Sequence, residues 1–186
     1  MLLYIIRHAK SLPRDGMQYA QASNVSLSPE GAVQAENLAK RLKKENIEHI
    51  ISSPFPRAKE TAEFISDKNI PISFDERLIE QAPSKTLIGA DFKKAKKQTR
   101  ENRNFIPENG ESFNTSAERF LRALQDAINF PNNKIAIVSH ALIIEAALTN
   151  LFNLKEIPKI EEASVTLLEY KDKKFNIVYI NKTKLS

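Results

Sequence analysis

Two short apolar runs stand out along the chain, each ending abruptly in polar, hydrogen-bonding side chains. Leu2-Leu3-Tyr4-Ile5-Ile6 runs into Arg7-His8, and Ile135-Ala136-Ile137-Val138, opened by Lys134, runs into Ser139-His140. An unbroken apolar run of this length, rich in β-branched and aromatic residues, predicts a strand buried on both faces. Between the two runs, apolar positions recur at helical spacing. Ala32, Ala35, Leu38, Ala39 and Leu42 predict a helix with Ser28 as N-cap and Pro29 as its first residue, closing near Lys44. Positions 47–51 predict a second strand, 56–66 a helix and 70–74 a third strand. Positions 92–103 predict a basic helix, although 81–110 carries the weakest pattern of the chain. Phe113, Ala117, Phe120, Leu121, Leu124 and Ile128 share one face of an amphipathic helix, drawn over 116–128. A last helix passes through Ile143, Ala146, Ala147 and Leu151, and two alternating runs, 164–170 and 175–179, predict a hairpin around a Lys-Asp-Lys-Lys turn.

Strands alternating with helices imply βα units, hence a largely parallel sheet with the hairpin added. The 186 residues suit a single domain over 1–186, and no internal repeat, low-complexity tract or linker interrupts them. With 41% hydrophobic and 27% charged residues the composition is that of a globular protein. No apolar run approaches the roughly 20 residues that span a bilayer, so no membrane partner is expected. The N-terminal run is too short for a signal peptide and is interrupted by Arg7-His8, so a cytoplasmic protein is expected. The absence of cysteine excludes disulfides, thiol catalysis and thiolate metal sites. The net charge of +5 admits acidic partners. The lysine runs at 93–97 and 171–174 lack interleaved aromatic residues and read as solvated faces, so nucleic acid is not expected.

Two of the three histidines, His8 and His140, end predicted strands in the same way. Ligands of open α/β sheets settle in the crevice outside the carboxyl ends of the strands. If these strands are neighbours, Arg7, His8 and His140 converge on one pocket. Arg57, in the first turn of the helix that follows Ser52-Ser53-Pro54, joins them. Two guanidiniums offer forked donors matched to phosphate oxygens, and a neutral imidazole between them is a nucleophile toward phosphorus. A second histidine stabilises the charge on the transferring group. His49, inside the second predicted strand, reads as structural. No cluster of acidic and histidine residues implies a metal, and no cofactor is expected.

These residues fall in a pattern that resembles the histidine phosphatase superfamily, the phosphoglycerate mutase-like proteins. Arg7-His8 is similar to the Arg-His-Gly signature of that family. Leu27-Ser28-Pro29-Glu30-Gly31 with Gln34-Ala35, Ser52-Ser53-Pro54-Phe55-Pro56-Arg57-Ala58 with Thr61-Ala62, Gly110-Glu111-Ser112 and Val138-Ser139-His140-Ala141 follow in family order. The resemblance implies a three-layer α/β/α sandwich, with His8 as the nucleophile that becomes phosphorylated and Arg7, Arg57 and His140 as the phosphate pocket. Leu78-Ile79-Glu80 matches the family's Leu-x-Glu pattern, which makes Glu80 the proton donor, with Glu76 and Glu111 as alternatives. The chain departs from the family at Ala9 and Ala141, where glycine is usual, and at Lys10. The expected activity is metal-independent hydrolysis of a phosphorylated small molecule or a phosphoprotein, phosphohistidine included. The rivals are a cofactor-dependent phosphoglycerate mutase, whose insertions over the site are longer, and a phospho-ligand-binding scaffold without turnover. The lysines of 93–97 fit a polyanionic substrate and equally fit a solvated helix; the oligomeric state stays open.

Overall fold

The computed structural model describes residues 1–13, 16–82 and 84–183. The strands β1 (Leu2–Arg7), β2 (His49–Ser52), β3 (Ile72–Phe74), β4 (Lys134–Ser139), β5 (Val165–Lys171) and β6 (Lys174–Lys182) form one sheet in the order β3-β2-β4-β1-β5-β6. β1, β2, β3 and β4 run parallel to their neighbours among themselves, whereas β5 pairs antiparallel with β1 and β6 antiparallel with β5. The helices are α1 (Tyr19–Ser23), α2 (Pro29–Leu42), α3 (Pro56–Ser66), α4 (Gly89–Glu101), α5 (Phe113–Ala127) and α6 (Ala141–Leu151).

Alternation along the central strands divides the core in two. Leu3 and Ile5 point to the face covered by α5 and α6, where they meet Phe120, Leu124, Ile143 and Leu148. Tyr4 and Ile6 point to the other face, against Ala35 and Leu38 of α2 and Ala58 and Ala62 of α3. Each aliphatic side chain fully buried in this way is worth about 1.5–3 kcal/mol relative to exposure. The result is the three-layer sandwich expected.

Most element boundaries moved little, and the shifts have local causes. α5 begins at Phe113 rather than 116 because Ser112 caps it, its Oγ accepting from the N–H of Thr115 at 3.0 Å. β5 does not alternate: Val165, Thr166, Leu167 and Leu168 are all buried, because the strand lies inside the sheet between β1 and β6. α4 starts at Gly89, three residues before the expected start, with no side-chain cap to mark it. α1, five residues long, is too short to leave a periodic signal.

One contact fixes how β1 leaves the sheet. The chain beyond it crosses the first turn of α2, where the N–H of Ser28 donates to the carbonyl of Lys10 at 2.9 Å. A Cβ on Gly31 would lie 1.8 Å from that same carbonyl oxygen. Only a glycine lets the two backbones approach this closely.

Candidate active site

β1 and β4 are adjacent and in register at their ends, with Arg7 opposite Ser139. The N–H of His8 donates to the carbonyl of Ser139 at 2.9 Å, so the two strand exits are tied together. That places the rings of His8 and His140 edge to face, with centroids 5.0 Å apart. His8 Nδ1 lies 2.6 Å from the carbonyl oxygen of Ala9. A carbonyl only accepts, so Nδ1 carries the ring proton and Nε2 keeps a lone pair. Arg57 Nε donates to that nitrogen at 3.2 Å.

Arg57 is the second residue of α3, just after the Pro56 that starts the helix. Its guanidinium lies over the Phe55 ring and also donates, through Nη1, to the carbonyls of Ala22 and Ser23 at 2.9 and 3.3 Å. His8, Arg57 and His140 are at most 1% exposed. Arg7 Nη1 donates to the carbonyl of Ile160 at 2.7 Å and Nη2 lies 3.4 Å from Glu162 Oε1. The buried Arg7 Nε has no acceptor among the described residues. His140 Nε2 is 2.8 Å from Ser53 Oγ.

A cavity of about 490 Å³ opens at these strand ends, walled by Arg7, His8, Arg57 and Glu80 among others. His140 is not part of its wall; it stands packed against His8, and the following Ala141 and Leu142 reach the cavity instead. Among the described residues, five cationic side chains and two carboxylates line the space, which biases it toward anions. A larger and more open groove of about 770 Å³ between α2 and α3 contains no histidine. No group of three or more histidine, aspartate or glutamate side chains is arranged to hold a metal ion among the described residues.

The three candidate acids occupy different surroundings. Glu80 Oε1 accepts from the backbone N–H groups of Gln81, Leu142 and Ile143, at 2.9, 3.1 and 3.3 Å. The carboxyl group is therefore anchored on the first turn of α6 by one oxygen, and Oε2 is left to the cavity. Glu111 is gripped instead by Arg119, with Oε1 to Nη2 at 2.7 Å and Oε2 to Nε at 3.0 Å, and also accepts from the N–H of Ala82. Arg119 in turn donates to the carbonyls of Arg77, Ile79 and Glu80. Glu111 and Arg119 thus brace the segment that carries Glu80. Glu76 is exposed and lies outside the cavity wall.

Several further residues reach the site, of which Lys93 and Lys96 belong to the lysine run noted in the sequence and Tyr19, Gln81 and Glu162 carry no signal there. Gln81, Lys93, Lys96, Tyr19 and Glu162 all reach the cavity. Tyr19 comes from the short α1 and donates its hydroxyl to the carbonyl of Glu80 at 2.5 Å; burial raises its phenol pKa. The Lys96 ammonium is pushed below the usual lysine range by burial and by the adjacent Arg100. Arg100 itself pairs with Glu145 of α6, whose carboxyl is raised by burial. His49 has a structural setting, with Nε2 2.9 Å from Ser73 Oγ and its ring against Phe130.

A model of the histidine phosphatase superfamily (branch 1) matches residues 3–183. The chain belongs to that superfamily. Among curated relatives, a probable phosphoglycerate mutase GpmB of Erwinia tasmaniensis is 28% identical over 163 residues, covering 82% of this chain and 75% of its own. Among solved structures, a mycobacterial glucosyl-3-phosphoglycerate phosphatase in complex with inorganic phosphate superposes with a TM-score of 0.82 at 23% identity, over 100% of this chain and 99% of its own. Phosphoserine phosphatase from Entamoeba histolytica, in complex with 3-phosphoglyceric acid, gives 0.81 at 21% identity, over 98% of each chain.

The chain's departures from the superfamily's glycines cause no strain. Neither Ala9 nor Ala141 is among the residues with positive φ. The methyl of Ala9 is fully buried and its N–H donates to Thr61 Oγ1 at 3.1 Å, so the position is filled rather than distorted. Lys10 pairs with Glu30 on α2 at the edge of the cavity.

Proposed function

We propose that the protein is a phosphatase, a single domain over 1–186. It hydrolyses a phosphomonoester of a small molecule, or a phosphohistidine, through a phosphohistidine intermediate on His8. It works in the cytoplasm, which suits a chain without cysteine. The observation that carries this reading is the state of His8: Nδ1 is committed to the carbonyl of Ala9, and the Nε2 lone pair lies in a cation-rich cavity.

In the first step His8 Nε2 attacks phosphorus, so that a P–N bond forms and the P–O bond to the alcohol breaks. Glu80, through Oε2, gives the departing oxygen its proton. Arg57, whose Nε already sits at His8 Nε2, and Arg7, with Nε unclaimed, take the equatorial phosphoryl oxygens. His140, its ring centre 5.0 Å from that of His8, packs against the ring that carries the phosphoryl group. In the second step Glu80 takes a proton from water, whose oxygen attacks phosphorus. The P–N bond breaks and inorganic phosphate leaves.

The test is hydrolysis of p-nitrophenyl phosphate and of an alkyl phosphate by wild type, His8→Ala and Glu80→Gln, with EDTA present. His8→Ala should abolish both activities. Glu80→Gln should lower kcat/KM, which does not include the hydrolysis of phospho-His8 that both esters share, about 10²–10⁴-fold on the alkyl ester, and far less on p-nitrophenyl phosphate, whose leaving group needs no proton. Equal losses of kcat/KM on both esters would remove Glu80 as the acid. Isomerisation of 3-phosphoglycerate in the presence of a bisphosphoglycerate primer, without phosphate release, would replace the phosphatase by a mutase.

A further inference from the structure

The phosphoryl-transfer scheme uses Arg7, His8, Arg57 and Glu80, and gives no role to a buried hydroxyl behind them. Thr61 lies in α3, one turn after Arg57, is fully buried, and forms no part of the cavity wall. Its Oγ1 donates to the carbonyl of Arg57 at 2.7 Å. A threonine inside a helix often bonds to the fourth carbonyl before it, and alone that contact means little. Here the same oxygen also accepts, from the backbone N–H of Ala9 at 3.1 Å. One hydroxyl therefore joins the residue after His8 to the residue that bears the guanidinium.

The link closes a circuit. Arg57 Nε donates to His8 Nε2 at 3.2 Å, and His8 Nδ1 meets the carbonyl of Ala9 at 2.6 Å. Ala9 is held in turn by Thr61, and Thr61 by Arg57. Three successive N–H groups at the β1 exit go to three different elements: His8 to Ser139 of β4, Ala9 to Thr61 of α3, and Lys10 to Gln34 of α2. Of these, the contact to Thr61 leads back to the His8 ring. Packing does not ask for a hydroxyl here. Ala58 and Ala62, close by in α3, belong to the apolar layer against Tyr4 and Ile6, and a valine would fill the same space as the threonine. A buried hydroxyl is costly unless it is hydrogen-bonded, and Thr61 both donates and accepts.

Resting on the reading in which His8 takes the phosphoryl group, we propose that Thr61 is a positioning residue of the reaction. Its hydroxyl holds Ala9 and Arg57 in one frame, so that the Ala9 carbonyl keeps the proton on His8 Nδ1 and the guanidinium stays against Nε2. Thr61 touches neither the substrate nor the reacting atoms; it acts through the tautomer of His8 and the place of Arg57. A misplacement of about 1 Å in such a frame costs on the order of 10²-fold in rate.

The test removes the hydroxyl and keeps the shape. Thr61→Val loses both hydrogen bonds and Thr61→Ser restores them; Thr61→Ala replaces the valine variant if that protein does not fold. Two quantities are read. The first is the pair of His8 ring nitrogen shifts, by NMR of ¹⁵N-labelled protein at a pH where the ring is neutral, assigned against His8→Ala. The second is kcat/KM for p-nitrophenyl phosphate. In wild type and in Thr61→Ser the shifts should place the proton on Nδ1. In Thr61→Val the two shifts should converge, as in a ring exchanging between tautomers, and kcat/KM should fall about 10- to 100-fold. A merely structural threonine would lower the urea midpoint of Thr61→Val and leave the shifts of the folded protein as in wild type. That result would overturn the proposal, as would an unchanged kcat/KM or a serine variant that behaves like the valine one. The shifts need no turnover. Wild type that releases no phosphate sinks the phosphatase reading and leaves the shifts to judge Thr61, whereas full activity in Thr61→Val sinks Thr61 and leaves the phosphatase.

Discussion

Two residues at the exit of β1 show how closely the site is tied to its backbone. His8 Nδ1 meets the carbonyl oxygen of Ala9 at 2.6 Å, and that contact decides which ring nitrogen carries the proton and which the lone pair. The same loop continues to Lys10, whose carbonyl presses on Gly31 and accepts from the N–H of Ser28. Gly31→Ala would drive a methyl group onto that oxygen, 1.8 Å from the ideal Cβ position. The substitution should destabilise the fold by about 1–3 kcal/mol, as overpacking does, read as a lower urea midpoint. An unchanged midpoint would mean that the first turn of α2 yields freely and that Gly31 does not set the path of the β1 exit. Gly31 stands within a motif legible in the sequence, yet its reason, a close approach between distant backbones, is visible only in the fold.

At the scale of elements, the segment between β3 and the cavity is held from both ends. Arg119 and Glu111 grip it beside Glu80, and Asp75 fastens its start. The Asp75 carboxylate accepts from the backbone N–H of Arg77 at 2.8 Å and pairs with its guanidinium at 2.6 Å. Burial alone would raise this carboxyl, but the hydrogen bonds and charge of Arg77 hold it below its ordinary value. A carboxyl lowered in the folded state stabilises that state above its unfolded value of 3.8, and the gain is lost as pH falls through the folded value. Asp75→Asn should therefore cost about 1 kcal/mol at neutral pH. It should also flatten the loss of stability as pH falls below the unfolded value of 3.8, measured by urea denaturation at each pH. An acid limb as steep as that of wild type would show that Asp75 does not carry this linkage. These elements differ in how well the sequence announced them. α3 and the central strands are strongly patterned, because apolar burial dictates their residues. α1 and the start of α4 are placed by tertiary contacts and carry little pattern of their own.

Across the whole molecule, the parallel register of β1 with β4 puts two histidines side by side although 131 positions in the sequence separate them, from 8 to 140. That juxtaposition was legible, since each strand is a short apolar run ending in a polar pair. Arg57 and Glu80 were legible through their motifs, and both reach the cavity. Gln81 and Glu162 were not, because no motif marks them and only packing gives them a direction; the lysine run of 93–97 was visible, but not that Lys93 and Lys96 are the ones that reach the cavity. Among Glu80, Glu76 and Glu111 the sequence shows no difference in surroundings; in the fold Glu80 lines the cavity, whereas Glu111 pairs with Arg119. Everything in the functional account depends on a phosphoryl group passing through His8. The most direct test is to quench the protein in alkali within one turnover of a ³²P-labelled phosphomonoester, then map the label. The account predicts an acid-labile, alkali-stable phosphoryl group on the peptide containing His8, absent from the His8→Ala protein. Turnover without label on that peptide, or label that persists in His8→Ala, would contradict it.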